Sequence, residues 1–210
     1  MTGNCFVEKT IETTYGNVYV KLSQDSSLNI PIILLHGFSF TSDVWSEIGL
    51  LEVLCKEGIP FIAPDMPYGM KVNRSFKSRD PDKNVYLIGE IISASGFDKN
   101  YMVGASIGGY ISLKYAVEKN NVVGMTLVAP VNPLEHNIIL YLRENALPIL
   151  LIYGENDNVV DLSEMKRFAD ETMKTRLLVY KEAPHPAYLK SPNRFAANVV
   201  GHYKEVIGLF

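Results

Sequence analysis

The sequence predicts an α/β fold, a mostly parallel sheet of about eight strands with helices on both faces, in a single domain over residues 1–210. Two observations lead to this prediction. Apolar runs of strand length alternate along the chain with segments of helical length. In addition, the run 30–35 is apolar at every position, which is typical of a strand covered on both faces by helices.

The composition excludes several classes of function. Hydrophobic residues make up 47% of the chain and charged residues 20%, which are usual values for a globular domain. The net charge of −3 and the lack of a basic run argue against a nucleic-acid partner. No apolar stretch approaches the roughly 18 residues that span a bilayer, and residues 1–10 do not resemble a signal peptide. We therefore expect a cytoplasmic protein that binds a small molecule, with no nucleic-acid partner and no membrane contact.

The two cysteines, Cys5 and Cys55, are far apart in the sequence and lack the spacing of a metal site. In a cytoplasmic protein this arrangement predicts two reduced thiols in the core. The sequence indicates neither a metal site nor a cofactor.

The first half of the chain is expected to begin with an antiparallel hairpin at one edge of the sheet, turning at Tyr15-Gly16-Asn17. Two further strands follow, and Gly58 ends the helix between them. The expected bounds are 5–13, 17–23, 30–35 and 59–63 for strands, and Thr41 or Ser42 to about Glu57 and 84–94 for helices.

The second half alternates strands and helices more regularly. The expected strands are 99–103, 122–129, 148–153 and 176–180, and the expected helices are 106–118, 162–173 and 191–206. Only residues 131–147 separate Pro130 from Pro148, which leaves room for one short helix.

A long polar loop, residues 68–82, interrupts this pattern and contains Lys71, Arg74, Lys77 and Arg79. A loop of this length in a compact domain is often functional or mobile. The sequence leaves two interpretations open: a solvated loop, or a cover whose basic residues meet an anionic leaving group.

A Gly-x-Ser-x-Gly motif, residues 104–108, lies between a buried strand and a helix. In that context the motif predicts a nucleophile elbow, a sharp turn that holds the hydroxyl of Ser106 away from the chain. Gly104 and Gly108 leave space where the strand and the helix approach each other. Three fixed positions recur by chance, so the motif alone would equally fit a glycine-rich turn with a capping serine.

Other polar residues support the elbow because each follows a predicted strand. They are His36 with Gly37 and Phe38, Asp157, and His185. In an open parallel sheet the functional site lies beyond the carboxyl ends of the strands, so we expect these residues to lie near Ser106.

A serine nucleophile needs a base, and that base needs an orienting carboxylate. His185 is the candidate base, since it follows the last strand in a loop stiffened by Pro184 and Pro186. Asp157 is the preferred carboxylate, with Glu155 and Asp161 as alternatives in the same loop.

The other three histidines fit structural roles better. His36 is expected to shape its own turn and His202 to lie on a helix surface, while His136 is either a pocket residue or a surface residue. The oxyanion of the tetrahedral intermediate is expected to bind the backbone N–H groups of Phe38 and Ile107.

These motifs, in the order Ser106, Asp157, His185, resemble the α/β-hydrolase superfamily over nearly the whole chain. The stretches 35–45 and 185–189 are similar more narrowly to the compact CIB-like serine hydrolases, which lack a lid. The resemblance implies an α/β-hydrolase fold without a cap domain and a Ser106–Asp157–His185 triad with oxyanion donors at Phe38 and Ile107. Pro184 departs from the family, where glycine often precedes the histidine, so this loop should differ locally.

The expected function is that of a serine hydrolase acting on small acyl esters, thioesters or amides through an acyl-enzyme. A perhydrolase or a C–C bond hydrolase would use the same triad, and a non-catalytic binding domain would keep the same fold. With no lid, the acyl site should be open and suited to short chains. Its walls are expected to come from Phe38, Tyr68, Val131 and His136.

Overall fold

The computed structural model describes residues 5–24, 26 and 28–209. The strands within these residues are β1 Phe6–Thr13, β2 Gly16–Ser23, β3 Ile32–Leu35, β4 Phe61–Pro64, β5 Asn100–Ala105, β6 Val122–Val128, β7 Ile149–Gly154 and β8 Thr175–Tyr180. They form one sheet in the order β1-β2-β4-β3-β5-β6-β7-β8. The hairpin β1–β2 and the pair β2–β4 are antiparallel, whereas all other neighbours are parallel.

Helices connect the strands and cover both faces of the sheet. They are α1 Asp43–Glu47, α2 Leu50–Lys56, α3 Pro81–Ala94, α4 Ile107–Lys119, α5 His136–Asn145, α6 Leu162–Glu171 and α7 Pro192–Ile207, with a short 3-10 helix at Ala187–Leu189. The predicted fold class, a mostly parallel eight-stranded sheet between helices, is therefore confirmed.

Alternating side chains of each central strand build two separate cores. In β3, Ile33 and Leu35 pack with the buried residues of α3 to α6, while Ile32 and Leu34 pack with those of α1, α2 and α7. All four side chains are fully buried. This two-sided burial explains why the strand is apolar at every position.

The helix expected to run to Glu57 is divided into α1 and α2. Gly49 has φ +72° and ends the first segment in a left-handed conformation that glycine adopts without steric cost. The third helix begins earlier than expected because Asp80 caps it and Pro81 occupies its first position. Both differences are local and leave the order of elements unchanged.

The prediction of two reduced core thiols is wrong in this structure. Cys5 and Cys55 form a disulfide across a sequence separation of 50 residues, and both are only partly buried. The bond joins the start of the edge hairpin to α2. Sequence spacing gave no sign of this pairing, because the two residues meet only once the hairpin has joined the edge of the sheet.

The described residues between β6 and β7 contain a single helix, α5, of ten residues. This confirms the expectation that the chain has no cap domain. Among the described residues, no helix is both long and apolar enough to cross a bilayer.

Candidate active site

Ser106 occupies a strained turn between β5 and α4. Its backbone has φ 54° and ψ −117°, a conformation that non-glycine residues rarely adopt. A side chain at position 104 would lie 2.6 Å from the carbonyl oxygen of Gly108, and one at position 108 would lie 2.7 Å from the carbonyl oxygen of His36. The two glycines thus let the helix begin directly against the strand, as the sequence motif predicts.

The strand order brings the sequence-predicted residues to one edge. β3, β5, β7 and β8 run parallel, so the residues that follow their carboxyl ends face the same side of the sheet. His36 follows β3, Ser106 follows β5, Asp157 follows β7 and His185 follows β8.

Asp157 and His185 form a close pair. Nδ1 of His185 lies 2.7 Å from Oδ2 of Asp157, whose side chain is fully buried. The other carboxylate oxygen of Asp157 accepts hydrogen bonds from the N–H groups of Val159 at 2.8 Å and Val160 at 3.0 Å. These backbone donors fix the carboxylate, and the carboxylate fixes the orientation of the imidazole ring.

The second ring nitrogen of His185, Nε2, is buried and has no hydrogen-bond partner within the described part of the chain. Ser106 and His185 line the same cavity. An unpaired imidazole nitrogen of a residue that shares a cavity with a serine is suited to accept a proton there.

The two alternative carboxylates have other partners. Oε2 of Glu155 accepts a hydrogen bond from the N–H of Glu182 at 2.9 Å, which ties the loop after β7 to the loop after β8. Asp161 caps α6 by accepting from the N–H of Ser163 at 2.7 Å, and this bond lowers the pKa of its carboxyl group. The hydrogen-bond geometry thus places Asp157, and neither Glu155 nor Asp161, against the ring of His185.

The loop that carries His185 contains a residue with positive φ. The left-handed residue of this loop is Glu182, with φ 54°, two positions before the proline. The loop packs closely on the end of β7, where a side chain at Gly154 would collide with the carbonyl oxygens of Ala183 and Pro184. A glycine at position 154 therefore allows the His185 loop to reach Asp157.

Two backbone donors near Ser106 and the cavity lack a partner within the described residues. In the described residues, neither the N–H of Phe38 nor that of Ile107 donates a hydrogen bond to another protein group. Ile107 begins α4, a helix of 13 residues whose N-terminal end favours negative charge. These are the two donors that the sequence motif predicts for an oxyanion.

His36 holds the turn that presents Phe38. Its ring is fully buried, with Nδ1 2.9 Å from the carbonyl oxygen of Gly37 and Nε2 accepting from the N–H of Met66 at 2.9 Å. Burial lowers the pKa of His36 to about 4, so the ring is neutral at pH 7. The hydroxyl of Tyr68 donates to the carbonyl oxygen of His36 at 2.7 Å and braces the same turn.

A cavity of about 190 Å³ opens beside Ser106. Its lining is mostly apolar and comes from both sides of the sheet edge: Phe38, Phe40, Val128, Val159, Pro186 and Tyr188. We refer to it as the acyl cavity. A dry apolar cavity of roughly 150 Å³ is large enough for benzene, so the acyl cavity is suited to a short acyl chain.

Only one of the four predicted wall residues, Phe38, lines the acyl cavity. Tyr68 lines a neighbouring cavity instead, and neither cavity includes Val131 or His136 in its lining. Phe40, Val159 and Tyr188 also line the acyl cavity, although they were not among the predicted wall residues. Phe40 and Tyr188 lie within the two stretches that resemble CIB-like hydrolases, and that resemblance could have indicated them.

The four basic residues of the 68–82 loop differ in their partners. Arg74 pairs with Asp65 at 2.8 Å and with Asp43 at 2.7 Å, and its guanidinium lies over the ring of Tyr19. It therefore anchors the loop to the hairpin side of the sheet. Lys77 donates to the backbone oxygens of Gly69 and Met70 within the loop.

No group of three or more His, Cys, Asp or Glu side chains is placed to hold a metal ion among the residues that the structure describes.

Known proteins share both the sequence pattern and the architecture. A family model described as the alpha/beta hydrolase fold matches residues 30–139. The rat protein ABHD14B, provisionally named a protein-lysine deacylase, is 24% identical over 186 residues, which are 86% of each chain. Acyl-protein thioesterase 1 of Cryptococcus neoformans is 26% identical over 181 residues, covering 72% of this chain and 76% of the thioesterase.

A solved structure agrees at the level of the whole domain. The crystal structure of a predicted CIB-like hydrolase from Thermoplasma acidophilum has a TM-score of 0.85 and 26% identity, covering 95% of this chain and 98% of that one. The family model covers more than half of the 210 residues. The chain therefore belongs to the α/β-hydrolase family and is a hydrolase of that fold.

Proposed function

We propose that this protein is a serine hydrolase that cleaves small acyl esters, thioesters or amides through an acyl-enzyme. Ser106 is the nucleophile, His185 the general base and acid, and Asp157 the carboxylate that orients the base. The backbone N–H groups of Phe38 and Ile107 bind the oxyanion. No cofactor takes part in this chemistry.

In the acylation step, the hydroxyl oxygen of Ser106 attacks the substrate carbonyl carbon while Nε2 of His185 takes the hydroxyl proton. The carbonyl oxygen becomes an oxyanion that accepts from the two unpaired N–H groups. The bond to the leaving group then breaks, and the proton on Nε2 passes to the leaving oxygen, sulfur or nitrogen. An acyl ester on Ser106 remains.

In the deacylation step, water replaces the leaving group. Nε2 of His185 takes a proton from the water, whose oxygen attacks the acyl carbon; the bond to the Ser106 oxygen then breaks, and Nε2 gives the proton to that oxygen. The same N–H groups bind the second oxyanion. The products are a carboxylic acid and the regenerated serine.

The observation that carries the proposal is the state of the His185 ring. Nδ1 is held 2.7 Å from a buried carboxylate, whereas Nε2 is buried, unpaired and in the same cavity as Ser106. A histidine with a purely structural role would be expected to have both nitrogens paired, because an unpaired buried polar atom is costly. The arrangement therefore favours catalysis over a domain that only binds a ligand.

The names of the relatives guide the choice of substrates to test. One is named for removing acyl groups from protein lysine, an amide, and another for cleaving acyl-protein thioesters. The proposed mechanism accommodates both bonds as well as oxygen esters, since only the leaving atom changes. The acyl cavity limits the acyl part to a few carbons, whichever bond is cleaved.

The decisive experiment is labelling with a fluorophosphonate probe, followed by peptide mass spectrometry to find the modified residue. We expect the label on Ser106 and not on Ser39, which lines the same cavity. Ser106→Ala should abolish labelling and lower the rate of p-nitrophenyl butyrate hydrolysis by a factor of about 10⁴ or more. Ser93→Ala, on the exposed face of α3, is the matched control.

A folded Ser106→Ala protein that retains most of the wild-type rate would exclude this mechanism. If wild-type protein neither takes the label nor hydrolyses any ester, thioester or amide tested, the alternative of a binding domain gains support. Detection of peracid formation or of C–C bond cleavage would instead favour the other two reactions that use the same triad.

The cellular location and the partners stay predictions. Two reduced thiols were expected because the protein was expected to be cytoplasmic, and the Cys5–Cys55 disulfide is instead typical of an oxidising compartment. Mass spectrometry of protein alkylated directly in its own cells would show whether the two thiols are free there. The proposed partner is a small acyl substrate, with neither nucleic acid nor a membrane.

A further inference from the structure

A second cavity, of about 390 Å³, neighbours the acyl cavity and shares Phe38 with it. Phe38 lines both cavities, and the second is completed by Pro67, Tyr68, Met70, Lys77 and Arg79. We call it the loop pocket, because the loop between β4 and α3 forms most of it. The proposed function leaves it without a role.

The loop pocket is held by hydrogen bonds. The N–H of Ser78 donates to the carbonyl oxygen of Pro67 at 3.1 Å, which closes the loop on itself. The N–H of Met70 donates to the carbonyl oxygen of Phe38 at 2.6 Å, which attaches the loop to the proposed oxyanion turn. The pocket is therefore formed before a ligand arrives.

Positive charge in the loop pocket lacks a neutralising partner. Within the described chain, neither Lys77 nor Arg79 has a carboxylate oxygen within 4.0 Å, and the lining contains no acidic residue. The guanidinium of Arg79 lies 5.4 Å from the centroid of the Phe38 ring. The whole chain has a net charge of −3, so this local excess of positive charge is distinctive.

The nearest acidic residues of the sequence are already engaged. Asp80 accepts from the N–H groups of Asp82 and Lys83 and so caps α3. The side chain of Asp82 pairs with Lys114 at 2.7 Å. Neither carboxylate is therefore paired with Arg79, which leaves its guanidinium available to a ligand.

We propose that the loop pocket binds the leaving group of the substrate and that Arg79 selects leaving groups that carry a carboxylate or a phosphate. This inference rests on the proposed function. The scissile carbonyl would lie at the N–H of Phe38, with the acyl part in the acyl cavity. The leaving oxygen, protonated by His185, would then depart past the Phe38 ring into the loop pocket.

The first test compares acetate esters that differ only in the charge of the leaving group. We choose 4-acetoxybenzoate, 4-acetoxyphenyl phosphate and the neutral 4-acetoxybenzamide, and measure kcat/KM for each at low ionic strength. Comparison of the two anionic esters shows whether the pocket prefers a carboxylate or a phosphate. We expect the preferred anionic ester to exceed the neutral one about fivefold, the effect usual for one exposed ion pair.

Variants of Arg79 test its part in that preference through the ratio of the anionic to the neutral rate within each protein. Arg79→Lys should keep most of the preference, Arg79→Gln should bring the ratio near 1, and Arg79→Glu should invert it. Raising the salt concentration to about 0.5 M should weaken the wild-type ratio through screening. Arg194→Gln is the matched control, since Arg194 also lies over an aromatic ring, that of Tyr180, and lines neither cavity.

Equal wild-type rates for the charged and neutral esters would overturn the inference while leaving the serine hydrolase proposal intact. A preference for the anionic esters that Arg79→Glu leaves unchanged would also overturn the inference. A binding measurement keeps the inference testable even if no ester is cleaved. On Ser106→Ala protein, 4-hydroxybenzoate should bind about fivefold more tightly than 4-hydroxybenzamide, and adding Arg79→Gln to this protein should remove that difference. Equal affinities would contradict the inference independently of catalysis.

Discussion

Two turns at the carboxyl edge of the sheet each present a histidine, and they differ in how the ring is paired. In the turn after β3, both ring nitrogens of His36 have backbone partners. In the turn after β8, His185 has one nitrogen against Asp157 and the other unpaired. Both rings are at least largely buried, so burial alone does not distinguish them. The unpaired nitrogen of His185 is the difference on which its proposed role as the base depends.

Residues of the two turns line the acyl cavity together. Phe38 and Phe40 come from the first turn, and Pro186 and Tyr188 come from the second. On this interpretation the first turn is a rigid support that presents a backbone donor, whereas the second provides the group that moves a proton. The predictions below test that division of roles.

The largest expected effect is that of His185→Ala. Loss of the base should lower kcat for p-nitrophenyl butyrate by a factor of about 10⁴ or more. Thermal stability should change little, because Asp157 keeps its two backbone donors. Added imidazole should restore part of the rate if it enters the space left by the ring. A folded His185→Ala protein with near wild-type kcat would contradict the role of His185 as the base.

The second prediction concerns the carboxylate. Asp157→Asn should lower kcat by about 10⁴-fold with the fold retained, because an amide favours the wrong tautomer of His185. Glu155→Gln and Asp161→Asn are matched controls and should cost less than about fivefold, since each amide can still accept the hydrogen bond that the carboxylate accepts now. If Glu155→Gln proved the most damaging of the three, the assignment of Asp157 would be wrong.

The sequence predicted the fold well because its signal is local. Apolar runs and helix limits depend on residues close in the chain, and the order of elements followed from them. The division of one helix at Gly49 was missed, because a glycine within a helical pattern does not by itself specify a left-handed turn. The disulfide was missed for a different reason, since it depends on residues that only the folded chain brings together.

The site was predicted unevenly. Residues that follow strands could be placed at one edge, and the structure pairs His185 with Asp157, the preferred carboxylate, but the partners of the long loop could not be chosen. Arg74 illustrates this, because its buried partner Asp65 comes from the turn after β4. The walls of the cavity were the weakest part, as Val131 and His136 follow a strand at the correct edge yet do not line it. Side-chain direction within a loop was not available from the sequence.

The third prediction tests the supporting role of His36. His36→Leu leaves the carbonyl of Gly37 and the N–H of Met66 without partners in a buried site. The free energy of unfolding should fall by about 2–4 kcal/mol. The free energy of unfolding should fall less for His36→Gln and His36→Asn, because each amide can replace one of the two hydrogen bonds.

Chemical denaturation of these variants provides the measurement, with His136→Gln as the control. His136 is an exposed histidine at the start of α5, and its replacement should change stability by less than about 0.5 kcal/mol. A His36→Leu protein as stable as the wild type would show that the turn does not need this ring.

The fourth prediction follows from the pKa values of the two structural histidines. Burial lowers the pKa of His36 to about 4, and burial together with nearby Arg176 lowers that of His202 to about 4. The unfolded value is about 6.5. Folding therefore disfavours protonation of both rings. Their contribution to the free energy of unfolding is complete above pH 6.5 and is lost as the pH falls toward 4.

Between pH 6.5 and 4, the free energy of unfolding should fall by about 2–4 kcal/mol for each histidine. His202 accepts or donates a hydrogen bond with the hydroxyl of Tyr101, 2.5 Å away, far from the catalytic edge. His202→Gln should reduce the pH dependence of the free energy of unfolding, measured by urea unfolding from pH 7.5 to 4.5. The shape of the pH–rate profile should not change. Parallel stability curves for wild type and His202→Gln would contradict this.

The smallest expected effect concerns the acyl chain that fits between the two turns. Each methylene buried in the acyl cavity adds about 0.8 kcal/mol, so kcat/KM should rise by up to roughly tenfold from p-nitrophenyl acetate to butyrate. A cavity of about 190 Å³ does not enclose an octanoyl chain, so the rate should fall for octanoate and palmitate. Phe40→Ala removes a wall of the first turn and should shift the optimum toward longer chains. Leu189→Ala is the control, since Leu189 is exposed and does not line the cavity. A rate that keeps rising to palmitate in the wild type would show that the acyl chain lies elsewhere and that the two turns do not limit its length.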